Sequence, residues 1–217
     1  MSRPADKPLL LLVGVLSACT FLVGSALEME ALKLLTKGVP VITLGFWVWR
    51  SGADRFIALG LFFGAAGDIF LNIPGAFLPG MVAFALGHGL YVYAFWRWQP
   101  ARTLTLIIPI VLYLAFALGL MLPGTGELSV PVTLYMGIIG AMIWRAAAVA
   151  TLAHDRHDDW LVRWLPVTGA LLFAFSDTLI GINKFVTPLS GVHYPIILAY
   201  WAGQFLIAAS AIVRQRG

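Results

Sequence analysis

Charge is what this sequence lacks. Only 11% of its 217 residues are Asp, Glu, Lys or Arg, against roughly 25% in a soluble domain. With 60% hydrophobic residues there is too little polar surface to build a water-facing shell, and an ordinary soluble enzyme is excluded. The mean hydropathy of +0.91 points the same way, to a polytopic membrane protein. Cysteine is nearly missing as well. Cys19 is the only one, so neither an intrachain disulfide nor a Cys-based zinc site is possible. No linker is long enough to separate domains, and no low-complexity segment is present. The net charge of +4 is not gathered into a patch. Its basic residues stand singly between apolar runs, which suits the positive-inside rule and excludes a phosphate-tracking surface. Membrane lipids, not nucleic acid, are the expected surroundings.

Several catalytic signatures are also absent. There is no HExxH-like spacing, no G-x-S-x-G elbow and no Gly-rich phosphate loop. Ser176 and Asp177 are adjacent on one helix and point about 100° apart, a poor start for a Ser–His–Asp triad. His88, Asp68 and Asp177, with His193 in reserve, could supply three N/O ligands, but without a recognisable spacing no metal is expected. Cys19 closes the string "LSAC" (16–19) behind Arg3 and Lys7, which resembles a lipoprotein signal. The apolar run continues to Leu27, however, giving the ~20 residues of a spanning helix. An uncleaved first helix is the expectation.

What is present is a series of apolar stretches between short polar or Pro/Gly breaks. They predict an all-α, integral membrane bundle of eight transmembrane helices at about 8–27, 34–50, 55–73, 77–97, 103–122, 129–150, 162–183 and 192–213. The whole chain, 1–217, reads as one transmembrane domain. With a cytoplasmic N-terminus the inner side collects Arg3, Lys7, Arg50, Arg55, Arg97, Arg102, Arg145, Arg156, Arg163, Arg214 and Arg216, eleven of the fourteen Lys and Arg residues. The outer side keeps Lys33, Lys37 and Lys184. This bias predicts N-in and C-in, in the inner (plasma) membrane of a bacterium. His154 and His157 fall in a charged inner loop and read as solvated.

The polar groups at membrane depth are sorted too. Asp68 and Asn72 share a face of the third span at i, i+4, His88 and Tyr91 lie one turn apart on the fourth, and Asp177 and Lys184 share a face of the seventh, beside Asn183. His193, Tyr200 and Gln204 line the eighth, and Glu28, Glu30, Lys33 and Lys37 surround the outer start of the second. On this topology nearly all of them fall between the mid-plane and the outer leaflet. Taken singly, each has a bland reading. A lone Asp or His can be interhelical glue, lysines snorkel to headgroups, and tyrosines pack or sit in the interfacial belt. The joint pattern favours a site opening toward the outer leaflet, because ionisable groups inside a membrane are expensive.

A faint repeat supports it. "LFFGAAGDIFL" (61–71) aligns with "ALLFAFSDTLI" (170–180) on Asp68 and Asp177, and Tyr91 then aligns with Tyr200. The offset of four spans predicts a weak 4+4 parallel repeat, with both aspartates facing a shared interior. Two carboxylates in a semi-apolar site can divide labour, one keeping a proton as general acid and the other ionised as base or cation stabiliser. That suits an oxocarbenium-like path, and in a membrane the fitting substrate is an ether-like or acetal-like lipid. A small transporter or lipid-binding protein with proton-coupled midplane carboxylates is the alternative from another class, and a ceramidase-like metal amidase is a third.

Gly67-Asp68, "GHGLY" (87–91) and "SDTLIGINKF" (176–185) together resemble the YhhN family, eight-span proteins that include the lysoplasmalogenases. The likeness covers essentially the whole chain in motif order and helix count. One departure is visible: the family often has Lys-Pro opening the second span, where this chain has Lys37-Gly38 and then Pro40. The resemblance implies hydrolysis of the vinyl ether bond of lysoplasmalogen, a lysophospholipid, with no metal or organic cofactor. Asp68 and Asp177 would be the acid/base pair, and His88 and Tyr91 would orient water or an aspartate. Asn183, Lys184 and Lys37 would bind the phosphate, with Asn72, Tyr200, Glu30 and Lys33 nearby in the substrate site.

Overall fold

A computed structural model describes residues 6–104, 106–152 and 160–216. His154, His157 and Arg156 of the predicted inner loop, and Arg3 at the N-terminus, lie outside the described residues. Among the described residues there is no strand. The helices are α1 (Asp6–Ala26), α2 (Glu30–Thr36), α3 (Val39–Arg50), α4 (Arg55–Leu71), α5 (Phe77–Trp98), α6 (Ile107–Thr125), α7 (Ser129–Leu152), α8 (Trp160–Phe185) and α9 (His193–Arg216), with a 3-10 turn at Gly126–Leu128 between α6 and α7.

Local chemistry sets most of the boundaries. Asp54 caps α4, its side chain accepting the Phe56 N–H at 2.8 Å, which satisfies one of the orphan donors of a helix start. The left-handed glycines Gly52, Gly75, Gly126 and Gly191 occupy the turns after α3, α4, α6 and before α9, where an L side chain would be strained. The span expected at 34–50 is divided into α2 and α3. Pro40, in the first turn of α3, has no N–H to give to the Thr36 carbonyl four residues back. Ser17 of α1 donates to that carbonyl instead, at 3.1 Å. Helix α2 begins at Glu30, so Glu30 and Lys33 lie on it ahead of the expected span.

Six stretches among the described residues are long and apolar enough to cross a membrane: Pro8–Ala26, Glu30–Arg50, Phe77–Trp98, Ile107–Leu152, Val162–Phe185 and His193–Gln215. The fourth is 46 residues long and contains both α6 and α7. Helix α4 has 17 residues and at ~1.5 Å each rises about 26 Å, short of a ~30 Å hydrocarbon core. Large apolar side chains stand on the outside of these helices, Leu12 and Leu16 on α1, Ile108, Leu112 and Phe116 on α6, Val130 and Leu134 on α7, and Leu198 and Phe205 on α9. In water so much exposed apolar surface would drive aggregation; in lipid it is the solvated face. The chain is an all-helical integral membrane protein.

The chain divides into two compact units, one of the described residues up to Tyr91 with Ala211–Arg216, the other Val92–Ser210. In the first, α1 crosses α3 closely, since a Cβ at Gly14 would lie 2.5 Å from the Thr43 hydroxyl. Helices α4 and α5 nearly touch along their backbones. A Cβ at Gly87 would lie 2.9 Å from the Gly60 carbonyl oxygen, and one at Gly67 would lie 2.6 Å from the Phe84 ring. In the second unit α8 and α9 meet in the same manner at Gly169 and Gly203. Small residues at such crossings bring helices together where no hydrophobic force acts between them.

The second unit also holds a buried cation. Arg145, counted from the sequence among the inner topology charges, is 3% exposed. Its guanidinium donates to the backbone carbonyls of Ala101, at 3.2 Å, and Gln99, and the neighbouring Trp144 indole donates to the Thr103 carbonyl at 2.7 Å. Helix α7 thereby clamps the connection from α5 to α6, and the arginine satisfies carbonyls that no helix claims.

Candidate functional site

In the first unit the close approach of α4 and α5 buries three of the expected residues. Asp68 on α4 is 3% exposed, and His88 and Tyr91 on α5 are 1% exposed each. The His88 ring stacks on Phe84 with centroids 6.5 Å apart and is tilted to the Tyr91 ring at 6.4 Å. Gly60 makes room for Tyr91, whose ring occupies the space a Cβ there would need. At the end of α4 the Lys37 ammonium donates to Asn72 Oδ1 at 3.2 Å, so the junction of α2 and α3 is tied to the C-cap of α4. Lys37 and Asn72, both expected in the site, therefore meet. Glu30 and Lys33 form an ion pair with each other one turn apart on α2, with the glutamate side chain largely exposed. That pairing gives both residues a local role on the surface of α2.

In the second unit α8 buries Asp177, 8% exposed, together with Ser176. Ser176 donates to the Ile196 carbonyl of α9 at 3.0 Å. The Tyr135 phenol of α7 donates to Asp177 Oδ2 at 2.5 Å. One residue along α8, the Tyr113 hydroxyl of α6 lies 2.5 Å from Thr178 Oγ1 and donates to the Ala174 carbonyl at 3.0 Å. Hydroxyl groups from α6 and α7 thus join those of Ser176 and Thr178 at one depth of α8. Tyr200 of α9 is buried with its ring edge-on to Phe173 at 5.2 Å, and Gln204 one turn further is fully buried. His193, expected on the same face, is exposed at the start of α9 against Tyr194.

The two remaining residues lie at the end of α8. Asn183 accepts the Leu189 N–H on its side-chain oxygen at 2.8 Å, folding the turn into α9. Lys184 is exposed, its ammonium 5.9 Å from the Phe185 ring centroid. Asp177 and Lys184 are in register on one side of α8, about 10 Å apart along its axis, but the aspartate is inside and the lysine is out. Asp68 belongs to the first unit and Asp177 to the second. Among the described residues no three His, Cys, Asp or Glu side chains come together as a metal-binding group.

Tyr113, Tyr135 and Thr178 do not stand out in the sequence. The signal available there is depth. Tyr135 lies six residues inside the start of α7 and Asp177 eight residues before the end of α8, so an antiparallel pairing of the two helices brings them level. A tyrosine at that depth otherwise reads as interfacial belt.

Known proteins are similar to this chain in sequence. The family model described as the YhhN family matches residues 32–211, the stretch from α2 to α9. The chain is 35% identical over 184 residues to lysoplasmalogenase TMEM86B of Homo sapiens, covering 82% of this chain and 74% of that protein. It is 38% identical over 175 residues to lysoplasmalogenase TMEM86A of Bos taurus, covering 78% of this chain and 70% of that protein. A lysoplasmalogenase of Mycobacterium bovis is 30% identical over 167 residues, 71% of this chain and 59% of that protein. No solved structure matches it. A family model that takes in every helix but the first, with relatives of this identity along most of the length, establishes that the chain belongs to the YhhN family.

Proposed function

We propose that this membrane hydrolase cleaves the vinyl ether bond of lysoplasmalogen, giving a fatty aldehyde and glycerophosphoethanolamine or glycerophosphocholine. The observation that carries the reading is the burial of two aspartates in apolar helices, Asp68 at 3% and Asp177 at 8% exposure, in a chain whose relatives bear the name lysoplasmalogenase. A carboxylate at membrane depth costs at least ~2.5–3.5 kcal/mol, an expense consistent with a chemical use for it.

Asp68 and Asp177 take the acid and base roles. One delivers a proton to the β-carbon of the vinyl ether, leaving an oxocarbenium cation. The other, as an anion, steadies that cation and accepts a proton from the water that adds to it. The hemiacetal so formed collapses to aldehyde and the free glycerol hydroxyl. His88 and Tyr91 orient a water or an aspartate. Lys37, with Asn72 beside it, and Lys184 and Asn183 at the end of α8 bind the phosphate, where an ammonium or amide donor suits it. Tyr200 borders the substrate, and Glu30 holds Lys33 near the same headgroup layer. The reaction needs no organic cofactor.

Eight membrane crossings, with α2 and α3 forming one of them, and both termini in the cytoplasm of a bacterial cell complete the proposal. They put the site on the outer-leaflet side. A reporter active only in the cytoplasm should then report when fused after Arg216 and stay silent in "PGTGE" (123–127); the reverse result overturns the topology. The enzymatic reading is tested with detergent-purified protein and lysoplasmalogen, in the absence of any ion gradient. Aldehyde should appear, and its absence would reject the substrate. Lys184→Ala should raise KM roughly twofold to fivefold, the scale of an exposed charge contact, with kcat unchanged, because such a contact is equal in ground and transition states. A fall in kcat at constant KM would instead put Lys184 in the chemistry.

A further inference from the structure

The hydroxyl of Tyr135 is aimed the wrong way for a belt tyrosine. Near the outer end of a spanning helix a tyrosine ordinarily keeps its hydroxyl at the headgroup level. Tyr135 turns it inward, onto Asp177 Oδ2 at 2.5 Å, where the carboxylate is 8% exposed. A charge-assisted O–H to carboxylate contact belongs to the stronger class of hydrogen bond. It also restricts rotation of the carboxylate about its last side-chain torsion, one that is otherwise broad. The surrounding hydroxyls are engaged elsewhere. Those of Tyr113 and Thr178 meet each other and the Ala174 carbonyl, and that of Ser176 goes to the Ile196 carbonyl. These contacts hold α6, α8 and α9 together at the depth of Asp177, while Tyr135 reaches the carboxylate itself.

We infer that Tyr135 is a positioning residue for the hydrolysis proposed above, acting through Asp177. It holds the plane of the carboxylate against the reacting carbon–carbon–oxygen unit and donates to an oxygen whose charge changes as the proton moves. The inference rests on the lysoplasmalogenase reading, since it needs Asp177 in the reaction. Its effect is felt in the transition state, when the carboxylate's charge and direction both matter, and only weakly when substrate binds.

The test is steady-state aldehyde release from lysoplasmalogen by purified wild-type, Tyr135→Phe, Tyr135→Gln and Tyr113→Phe proteins, with thermal midpoints measured alongside. Tyr135→Phe keeps the ring and removes the donor. It should lower kcat about tenfold or more, as loss of a hydrogen bond to a charged group does, with KM within about twofold. Tyr135→Gln restores a donor and should recover some of the lost kcat. Tyr113→Phe removes a hydroxyl bonded to Thr178 and Ala174, and should leave kcat within about threefold whatever it does to the midpoint. An unimpaired Tyr135→Phe enzyme, a loss confined to KM, a Gln variant no faster than Phe, or an equal kcat loss in Tyr113→Phe overturns the inference. If the Phe variant is not recovered folded, Tyr135→Gln against Tyr113→Phe decides: a Gln variant slower than Tyr113→Phe at unchanged KM supports it, and any other order overturns it. A wild-type protein that releases no aldehyde rejects the substrate reading and this inference together, whereas an active wild type with a fully active Tyr135→Phe variant rejects this inference alone.

Discussion

Asp177→Asn should cut aldehyde release by roughly 10²-fold or more while the protein stays folded, the scale at which general acid–base catalysis contributes. The amide copies the shape of the carboxylate and can still accept the Tyr135 hydroxyl, which bonds Asp177 Oδ2, so packing is retained. It carries no titrating proton and no charge. A neutral amide is also easier to keep in an apolar interior than a carboxylate, so the thermal midpoint should hold or rise. Asp68, 3% exposed on α4, is expected to behave alike. The double variant should be little slower than either single one, because residues that serve one step are strongly non-additive. Aldehyde release and thermal unfolding of the three proteins check this. An Asp177→Asn enzyme with intact turnover, or one that unfolds, would show the carboxylate to be structural.

The second large effect is expected at the crossing of α8 and α9. A Cβ at Gly169 would lie 2.8 Å from the Gly203 carbonyl oxygen and 2.8 Å from Ile207 Cγ1. The first of these is backbone and cannot rotate away, so Gly169→Ala should force the helices apart and destabilise the protein by ~1–3 kcal/mol, the cost of overpacking a filled core. The separation would strain the Ser176 bond to the Ile196 carbonyl and with it the placement of Asp177, so activity should fall together with the unfolding midpoint. Gly119→Ala on α6 is the matched control. There a Cβ has no described atom within 4 Å, and alanine is the better helix former by up to ~1 kcal/mol, so stability should hold or rise. Equal midpoints for the two variants would mean that the α8–α9 approach is looser than described.

The helices were legible because their causes are local. The stretches read at 77–97 and 129–150 are α5 (Phe77–Trp98) and α7 (Ser129–Leu152), since an apolar run between Pro/Gly breaks needs no knowledge of its neighbours to form a helix. Burial of Asp68, His88, Tyr91, Asp177 and Tyr200 was legible for a related reason. Helical spacing puts them on faces with other polar or small residues, and a membrane leaves such a face no better place than the protein interior. Where local chemistry was read too coarsely, as at Pro40, the expected single span resolved into α2 and α3. The cause, a proline that cannot serve the Thr36 carbonyl, stands in the sequence. Its consequence does not, because the replacement donor is Ser17, nineteen residues earlier on α1.

The contacts that only the tertiary structure decided are those between groups far apart in the chain. Tyr135 and Asp177 are separated by 42 residues, and Arg145 reaches carbonyls 44 and 46 residues before it. Nothing in the sequence singled out Tyr135, and charge sorting made Arg145 a topology charge, because an isolated helix offers a polar side chain only lipid or the interface. Packing offers a third environment. Once α6 and α8 lie against α7, a phenol can turn inward to a carboxylate and a guanidinium to unclaimed carbonyls. Which helices become neighbours depends on surface shape, here on where glycines such as Gly140 beside Leu114 and Gly181 beside Met121 let a partner approach, and that is a property of pairs of helices. The sequence by itself therefore determined the helices, their apolar exteriors and the buried acidic residues, while the folded chain determined which hydroxyls and carbonyls those residues meet.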